Sequence, residues 1–309
     1  MSKMKDTKEW TVNAPWGRVA MISWGDAVNP PVLLVHGYVD TAATFIPLVK
    51  ELPNDHYYVA FDMPGHGKSD PFPPGVMATQ LCIVEVIRLV VDDMRWDSFI
   101  YLAHSMGAVI GLFYNFVHPD RISKMVLMDP GPPLSMYYFD HYDPKEVYHY
   151  IFTPYYGDYK RYNSNTPKLY SYEDAVSLIA RNRKLTMDQT EILLSRALVP
   201  VGDMYRFSME PRMKFILNIP VSEETLHTVL TRNTQPTLLL EASRSNVVVP
   251  AKSFVRTIIE KCEALPNYCK IKIKGGHDFH ITNPAVVAKH VKRFLNSKIC
   301  VASNKKCKL

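Results

Sequence analysis

A chain of 309 residues is long enough for one large α/β domain or for a core carrying an insertion, and either buries a sizeable core. Hydrophobic residues make up 47% and charged residues 21%, as in ordinary soluble globular enzymes, and a formal net charge of +6 without aromatic-basic interleaving speaks against nucleic acid as a partner. Five scattered cysteines (Cys82, Cys262, Cys269, Cys300 and Cys307) with no C-x-x-C imply neither a disulfide framework nor a zinc site, so a reducing compartment is expected.

Residues 1–10 are polar and charged with no apolar h-region, so no signal peptide is expected, and no apolar run nears the length of a membrane span. The first buried parallel strand is expected over 32–35, preceded by Pro30-Pro31 and stopped by His36-Gly37. Further short apolar runs follow at 57–61, 99–102, 124–128, 237–240 and 269–273. Between them, apolar residues at three- and four-residue spacing predict helices over 79–94, 108–117, 254–262 and 285–294. Such alternation predicts a doubly wound, mainly parallel α/β sheet covered on both faces, with chemistry at the carboxyl ends of the strands.

The alternation stops between about Pro130 and Thr234. Regular spacing there is helical (172–180, 190–199 and 223–230), and eleven of the 18 tyrosines fall between Tyr137 and Tyr172. The expected organisation is a core from 1–130 and 235–309 with a helical, Tyr-rich cap from 131–234 over the strand ends. Tyrosine offers apolar area with a polar tip, so these side chains either line a cavity or pack the cap on the core.

Ala103-His104-Ser105-Met106-Gly107 lies between the run ending at Leu102 and the helical pattern from Ala108. A strand turning sharply into a helix strains its corner residue, and the positions two before and two after must be small, as Ala103 and Gly107 are. Ser105 is therefore the candidate nucleophile. Its base should come last in this topology, and Gly275-Gly276-His277-Asp278-Phe279-His280 follows the final strand; His277, next to the glycines, is preferred over His280. The backbone N–H groups of Tyr38, after the first strand run, and Met106, at a helix N-terminus, are the candidate oxyanion donors. The run 62–69, Asp62-Met63-Pro64-Gly65-His66-Gly67-Lys68-Ser69, is glycine-rich but matches neither phosphate-binding spacing, so it reads as a turn near the site.

Gly37, the Gly65-His66-Gly67 turn, the Ser105 elbow and the Gly276-His277 loop together resemble the α/β-hydrolase fold over essentially the whole chain. Pro15-Trp16-Gly17, Trp24-Gly25, 31–45 and the stretch from Leu52-Pro53 to Ser69 resemble, more narrowly, the serine hydrolase-like (kraken) proteins, mainly in the amino-terminal third. The resemblance implies a serine hydrolase of poorly defined substrate, with peroxisomal members. The chain departs from it at Ala103 and Ala108, where the elbow more often has Gly, although Ala is still small.

The third member of the site is open. Many relatives carry an Asp in the loop that is Glu241 to Pro250 here, but the slot falls on Ser245 or Asn246 and no Asp is present. Asp129, at the end of the 124–128 run, is preferred; Glu241 or no acid at all are the alternatives. The expected protein is thus a cofactor-free, metal-free serine hydrolase attacking a small-molecule carboxylic ester or thioester through Ser105, His277 and Asp129. The competing class is a catalytically weak or inactive ligand-binding member of the same fold.

The carboxyl end, with Lys298, Lys305, Lys306 and Lys308, closes on Cys307-Lys308-Leu309, which resembles the Ser-Lys-Leu address read by a peroxisomal import receptor; the cytoplasm is the alternative location. A reporter fused ahead of residues 297–309 is expected in puncta that overlap a peroxisomal marker, and a diffuse signal would remove the targeting assignment without touching the chemistry.

Overall fold

The computed structural model describes residues 5–297 except 76, 132–133, 135–144, 146–147, 164–166, 217–221, 233, 246–256, 258–259 and 263. Most of the helix expected over 254–262, Asn246, and the Cys307-Lys308-Leu309 end lie outside the described residues.

The apolar runs become strands β3 (Pro31–Val35), β4 (Tyr57–Phe61), β5 (Phe99–His104), β6 (Ile122–Met128), β9 (Thr237–Ala242) and β10 (Tyr268–Ile273). Two antiparallel strands that the sequence reading did not anticipate, β1 (Thr7–Ala14) and β2 (Gly17–Trp24), extend the sheet, whose order is β1-β2-β4-β3-β5-β6-β9-β10. β2 runs antiparallel to both neighbours, and every pair from β4 to β10 is parallel. Each parallel strand feeds one layer with every second residue. In β5, Phe99, Tyr101 and Ala103 face one layer while Ile100 and Leu102 face the other; in β3, Leu33 and Val35 oppose Val32 and Leu34. Burial on both faces is why these strands read as unbroken apolar runs.

The layer that Ile100, Leu102, Val32 and Leu34 face contains helices α1 (Ile46–Glu51) and, toward the carboxyl end, Pro284–Leu295, whose Val287, Val291 and Phe294 are buried. The opposite layer holds α2 (Gln80–Asp93) and α3 (Met106–Val117). Of the sixteen residues expected as helix over 79–94, the structure makes helix of fourteen.

Between β6 and β9 the described insertion contains α4 (Tyr172–Arg183), α5 (Met187–Ala197) and α6 (Glu223–Thr231), and also the hairpin β7 (Leu198–Val201) with β8 (Met204–Phe207). The segment 190–199 was expected to be helical throughout, but its last two residues leave α5 for β7, where Pro200 blocks helix continuation. α6, placed with the cap by its position in the chain, packs Leu226, Val229 and Leu230 into the same apolar cluster as α3. Among the described residues of the insertion, aromatic side chains meet one another: Tyr155 and Tyr162 stack at 6.2 Å and both edge onto Phe215, while Tyr170 and Tyr172 meet Phe207 and Tyr205 of the hairpin.

The second small residue of the elbow is dictated by backbone. A Cβ on Gly107 would stand 2.4 Å from the Val35 carbonyl oxygen and 2.5 Å from that of His36, so α3 lies directly against the end of β3. Gly107→Ala is expected to destabilise the fold by more than about 3 kcal/mol, because neither carbonyl can rotate away. Gly157→Ala, where a Cβ meets nothing within 4 Å, should stay within about 0.5 kcal/mol of the parent. Denaturant midpoints compare the two, and equal values would show that α3 moves off β3 at little cost.

Candidate active site

Ser105 sits between β5 and α3 with φ 53° and ψ −121°, a backbone conformation forced by the abrupt change of direction. Its N–H still donates to the Met128 carbonyl at 2.8 Å, continuing the β5-β6 ladder through the corner. From that corner Ser105 Oγ reaches His277 Nε2 at 2.8 Å, and His277 Nδ1 lies 2.5 Å from Asp129 Oδ2. Three residues distant in sequence are therefore hydrogen-bonded in one line.

His277 arrives on the loop after β10, where Gly275 adopts φ +153° and anchors its N–H on Ser243 Oγ at 3.1 Å. Asp129 directly follows β6 in a left-handed conformation (φ 49°), its own N–H donating to the Leu240 carbonyl. Its carboxylate also accepts from the Ala242 N–H at 3.1 Å and from Ser245 Oγ at 2.9 Å. Burial pushes the Asp129 carboxyl up, but the bond and charge of His277 and the bonds from Ala242 and Ser245 outweigh it and hold the group below its ordinary value. The loop that lacks an Asp thus contributes a hydroxyl, from Ser245, to the acid that follows β6. Glu241 points elsewhere, 3.4 Å from Lys270 Nζ.

His280 is fully buried away from Ser105, with Nε2 2.7 Å from Thr44 Oγ1. Its ring lies 4.1 Å from that of His104, which in turn lies 4.5 Å from His277. His104 Nε2 meets the His277 carbonyl at 3.1 Å, so it carries the proton there and the fully buried Nδ1 is bare.

The Tyr38 and Met106 N–H groups donate to no acceptor among the described residues. A feature missed on sequence grounds orients the first. His36 Nε2 accepts from the Met63 N–H at 2.9 Å, so Nδ1 is the protonated nitrogen and donates to the Gly37 carbonyl at 2.8 Å. Because the Gly37–Tyr38 peptide is planar and trans, holding its carbonyl on His36 turns the Tyr38 N–H the opposite way. Gly37 brings this strip against the corner: a Cβ there would lie 3.0 Å from Ser105 Cβ. The Tyr38 hydroxyl donates to the Lys214 carbonyl at 3.3 Å.

The 62–69 turn folds around its own carboxylate. Asp62 accepts from the N–H groups of Ala42 and Lys68 and from the Arg196 guanidinium at 2.8 and 3.0 Å, which leaves no open cradle for phosphate there. Among the described residues, Asp40, His104 and His280 form the single group with metal-ligand atoms within 4.8 Å of one another. Arg183 lies 3.1 Å from the Asp40 carboxylate, so the one anionic ligand of that group already faces a fixed cation, which would repel a metal ion there.

The family described as the alpha/beta hydrolase fold matches residues 30–284. Serine hydrolase-like protein 2 of Homo sapiens is 27% identical over 302 residues, covering 93% of each chain. Serine hydrolase-like protein of Danio rerio is 29% identical over 296 residues, covering 93% of this chain and 88% of that protein. Among solved structures, the hypothetical protein PA1622 of Pseudomonas aeruginosa PAO1 superposes with a TM-score of 0.77 at 23% identity, over 93% of this chain and 97% of that one.

Buried imidazoles make the site acid-sensitive. Burial lowers His66 to about 3 and His104 to about 4, with the neighbouring imidazole adding to each, and it pushes His280 well below the ordinary 6.5. The unfolded chain takes up these protons below pH about 6.5 while the folded chain does not, so stability is complete above that pH and falls toward pH about 4. The slope should approach about 1.4 kcal/mol per pH unit for each such histidine. Chemical denaturation at pH 7.5, 6 and 5 tests this, and a flat profile would mean that the imidazoles protonate in the folded state. The matched span, which includes Ser105, Asp129 and His277, places the chain in the α/β-hydrolase fold family, and its relatives include the serine hydrolase-like proteins.

Proposed function

We propose that this chain is a serine hydrolase that cleaves a carboxylic ester or thioester through an acyl-enzyme. The observation that carries the reading is the unbroken line from Ser105 Oγ through His277 to Asp129 at a strained strand-to-helix corner. An ionised Asp129 only accepts hydrogen bonds, so His277 carries its proton on Nδ1 and leaves Nε2 bare toward Ser105. In that tautomer His277 takes the Ser105 proton as Oγ attacks the substrate carbonyl. Charge moves onto the carbonyl oxygen, and the Tyr38 and Met106 N–H groups receive it, the latter with the N-terminal dipole of α3 behind it.

His277 next gives its proton to the departing alcohol or thiol, which leaves an ester on Ser105. Water then attacks the acyl carbon as His277 removes its proton, the bond from that carbon to Ser105 Oγ breaks, and His277 returns the proton to Oγ as the acid product departs. Asp129 stays ionised throughout and favours the imidazolium that forms twice in each cycle. A serine rather than a carboxylate nucleophile fits acyl transfer and not the alkyl-ester chemistry of an aspartate nucleophile.

A fluorophosphonate probe is expected to label the protein on Ser105, and Ser105→Ala, which removes only the attacking oxygen, should fold normally and stay unlabelled. Labelling of the Ala variant would end the nucleophile assignment, while no labelling of either protein would favour a ligand-binding member of the fold. Asp129→Asn should retain its fold and lose about 10⁴ in turnover of a chromogenic ester, because the amide presents the wrong partner to Nδ1. Near-normal turnover would reduce Asp129 to a structural strand-end residue.

A further inference from the structure

We propose that Arg183, carried by the insertion, is a positioning residue that holds the Tyr38–Asp40 loop and the His277–Asp278 loop in register on Ser105. The proposal rests on the hydrolase reading above and extends it from the core to the helical insertion.

Arg183 is the last residue of α4, which ends there because Lys184 turns left-handed (φ 56°). Its guanidinium makes a two-pronged contact with Asp278, from Nε to Oδ2 at 3.0 Å and from Nη2 to Oδ1 at 2.6 Å, and the same Nη2 reaches Asp40 Oδ2 at 3.1 Å. All three side chains are largely shielded from water: Arg183 is 21% exposed, Asp40 5% and Asp278 17%. A planar fork fits this geometry and a lysine ammonium does not.

Each carboxylate belongs to a loop that carries a proposed functional group. Asp278 directly follows His277, and its carbonyl accepts from the Ile281 and Thr282 N–H groups, so it anchors the turn beneath the imidazole. Asp40 lies two residues beyond Tyr38, with Val39 at φ 54° between them, and its Oδ1 accepts from the Thr41 N–H at 2.9 Å. Nothing in the core itself bridges these two carboxylates among the hydrogen bonds of the described residues. With the insertion seated, both loops are tied to one cation; without it, two carboxylates face each other with no counter-charge.

An alternative role for an arginine beside a site is to bind an anionic substrate. Two carboxylates already outnumber this guanidinium, so the cluster carries a net negative charge and does not attract one. Arg196, another arginine of the insertion and a buried one, supplies an internal comparison. It pairs with Asp62 and Glu9, docking α5 on the core through residues that do not adjoin Ser105, His277 or Tyr38 in sequence.

Charge separates positioning from docking alone. His277 faces Asp129 from β6, His104 from β5, and Asp278 and His280 from its own loop, with Arg183 and Asp40 behind them. His104, lowered to about 4, and His280, which burial pushes well below the ordinary 6.5, stay neutral over most of the range from pH 5 to 9. Over that range the fixed charges are the three carboxylates and Arg183. Removing Arg183 leaves Asp278 uncompensated, which favours the imidazolium, so the acid limb of the reaction moves to higher pH.

The test is the rate of fluorophosphonate labelling at saturating probe from pH 5 to 9 in the parent, R183Q, R183K, R183Q/D278N and R196Q, with the unfolding temperature of each. R183Q is expected to label about 10²-fold more slowly, as for a displaced catalytic group, with its acid limb raised. D278N in that background should return the limb toward the parent, and R183K should recover only part of the rate. If R183Q keeps the parental acid limb and its rate follows stability as R196Q does, Arg183 is a docking contact and the proposal fails while the hydrolase reading stands. If the parent itself is not labelled, the hydrolase reading fails, and the His277 Nδ1–H proton resonance decides the positioning role separately. Its loss or broadening in R183Q but not in R196Q supports the role, and an unchanged resonance in R183Q overturns it.

Discussion

The close approach of α3 to the end of β3 is the constraint on which the site depends. With no side chain at Gly107, the first turn of α3 rests on the carbonyls of Val35 and His36, and that contact lets the chain reverse at Ser105. The corner conformation is strained, but the β5-β6 ladder on one side and the Gly107 contact on the other over-determine it. The same approach brings the Gly37–Tyr38 peptide beside Ser105, so one packing contact sets both the hydroxyl and the nearby backbone donors.

Around this corner, buried polar groups satisfy one another across strand ends. Asp129 accepts from β9, from the loop after β9 and from the loop after β10, so a single carboxylate gathers three segments at the carboxyl edge of the sheet. His36 does likewise between β3 and the loop after β4, and its tautomer follows from its two partners. Burial keeps His66, His104 and His280 neutral, so the charges at this edge are carboxylates and arginines. Two of those arginines, Arg183 and Arg196, come from the insertion and meet core carboxylates in low-exposure contacts, where removing one partner strands the other. The insertion is thereby joined to the core through charge at the strand ends as well as through apolar contact.

Ser105 and His277 were legible because each is marked locally: small residues around a strand-to-helix corner, and glycines before a histidine after the last strand. The parallel strands were legible for a similar reason, since burial on both faces leaves an unbroken apolar run. β1 was not, because the strand Thr7–Ala14 lies at the sheet edge, where Lys8 and Glu9 face water and Val12 is its one buried residue. The Leu198–Val201 strand was hidden because a short apolar stretch after a helix continues the helical pattern until Pro200 is weighed against it.

By itself, then, the sequence determined the α/β alternation, the place of the elbow and the order in which serine and histidine follow along the chain, because these depend on periodicity and on steric demands within a few residues. Only the tertiary structure decided that Asp129, and not Glu241, meets His277, since several strand ends carry carboxylates and the direction each faces is set by neighbouring strands. It also decided the Arg183 contacts with Asp40 and Asp278, which join residues 143 and 95 positions apart. Charge pairing over such separations leaves no periodic trace in a sequence; the partners become visible only when packing brings them out of water together.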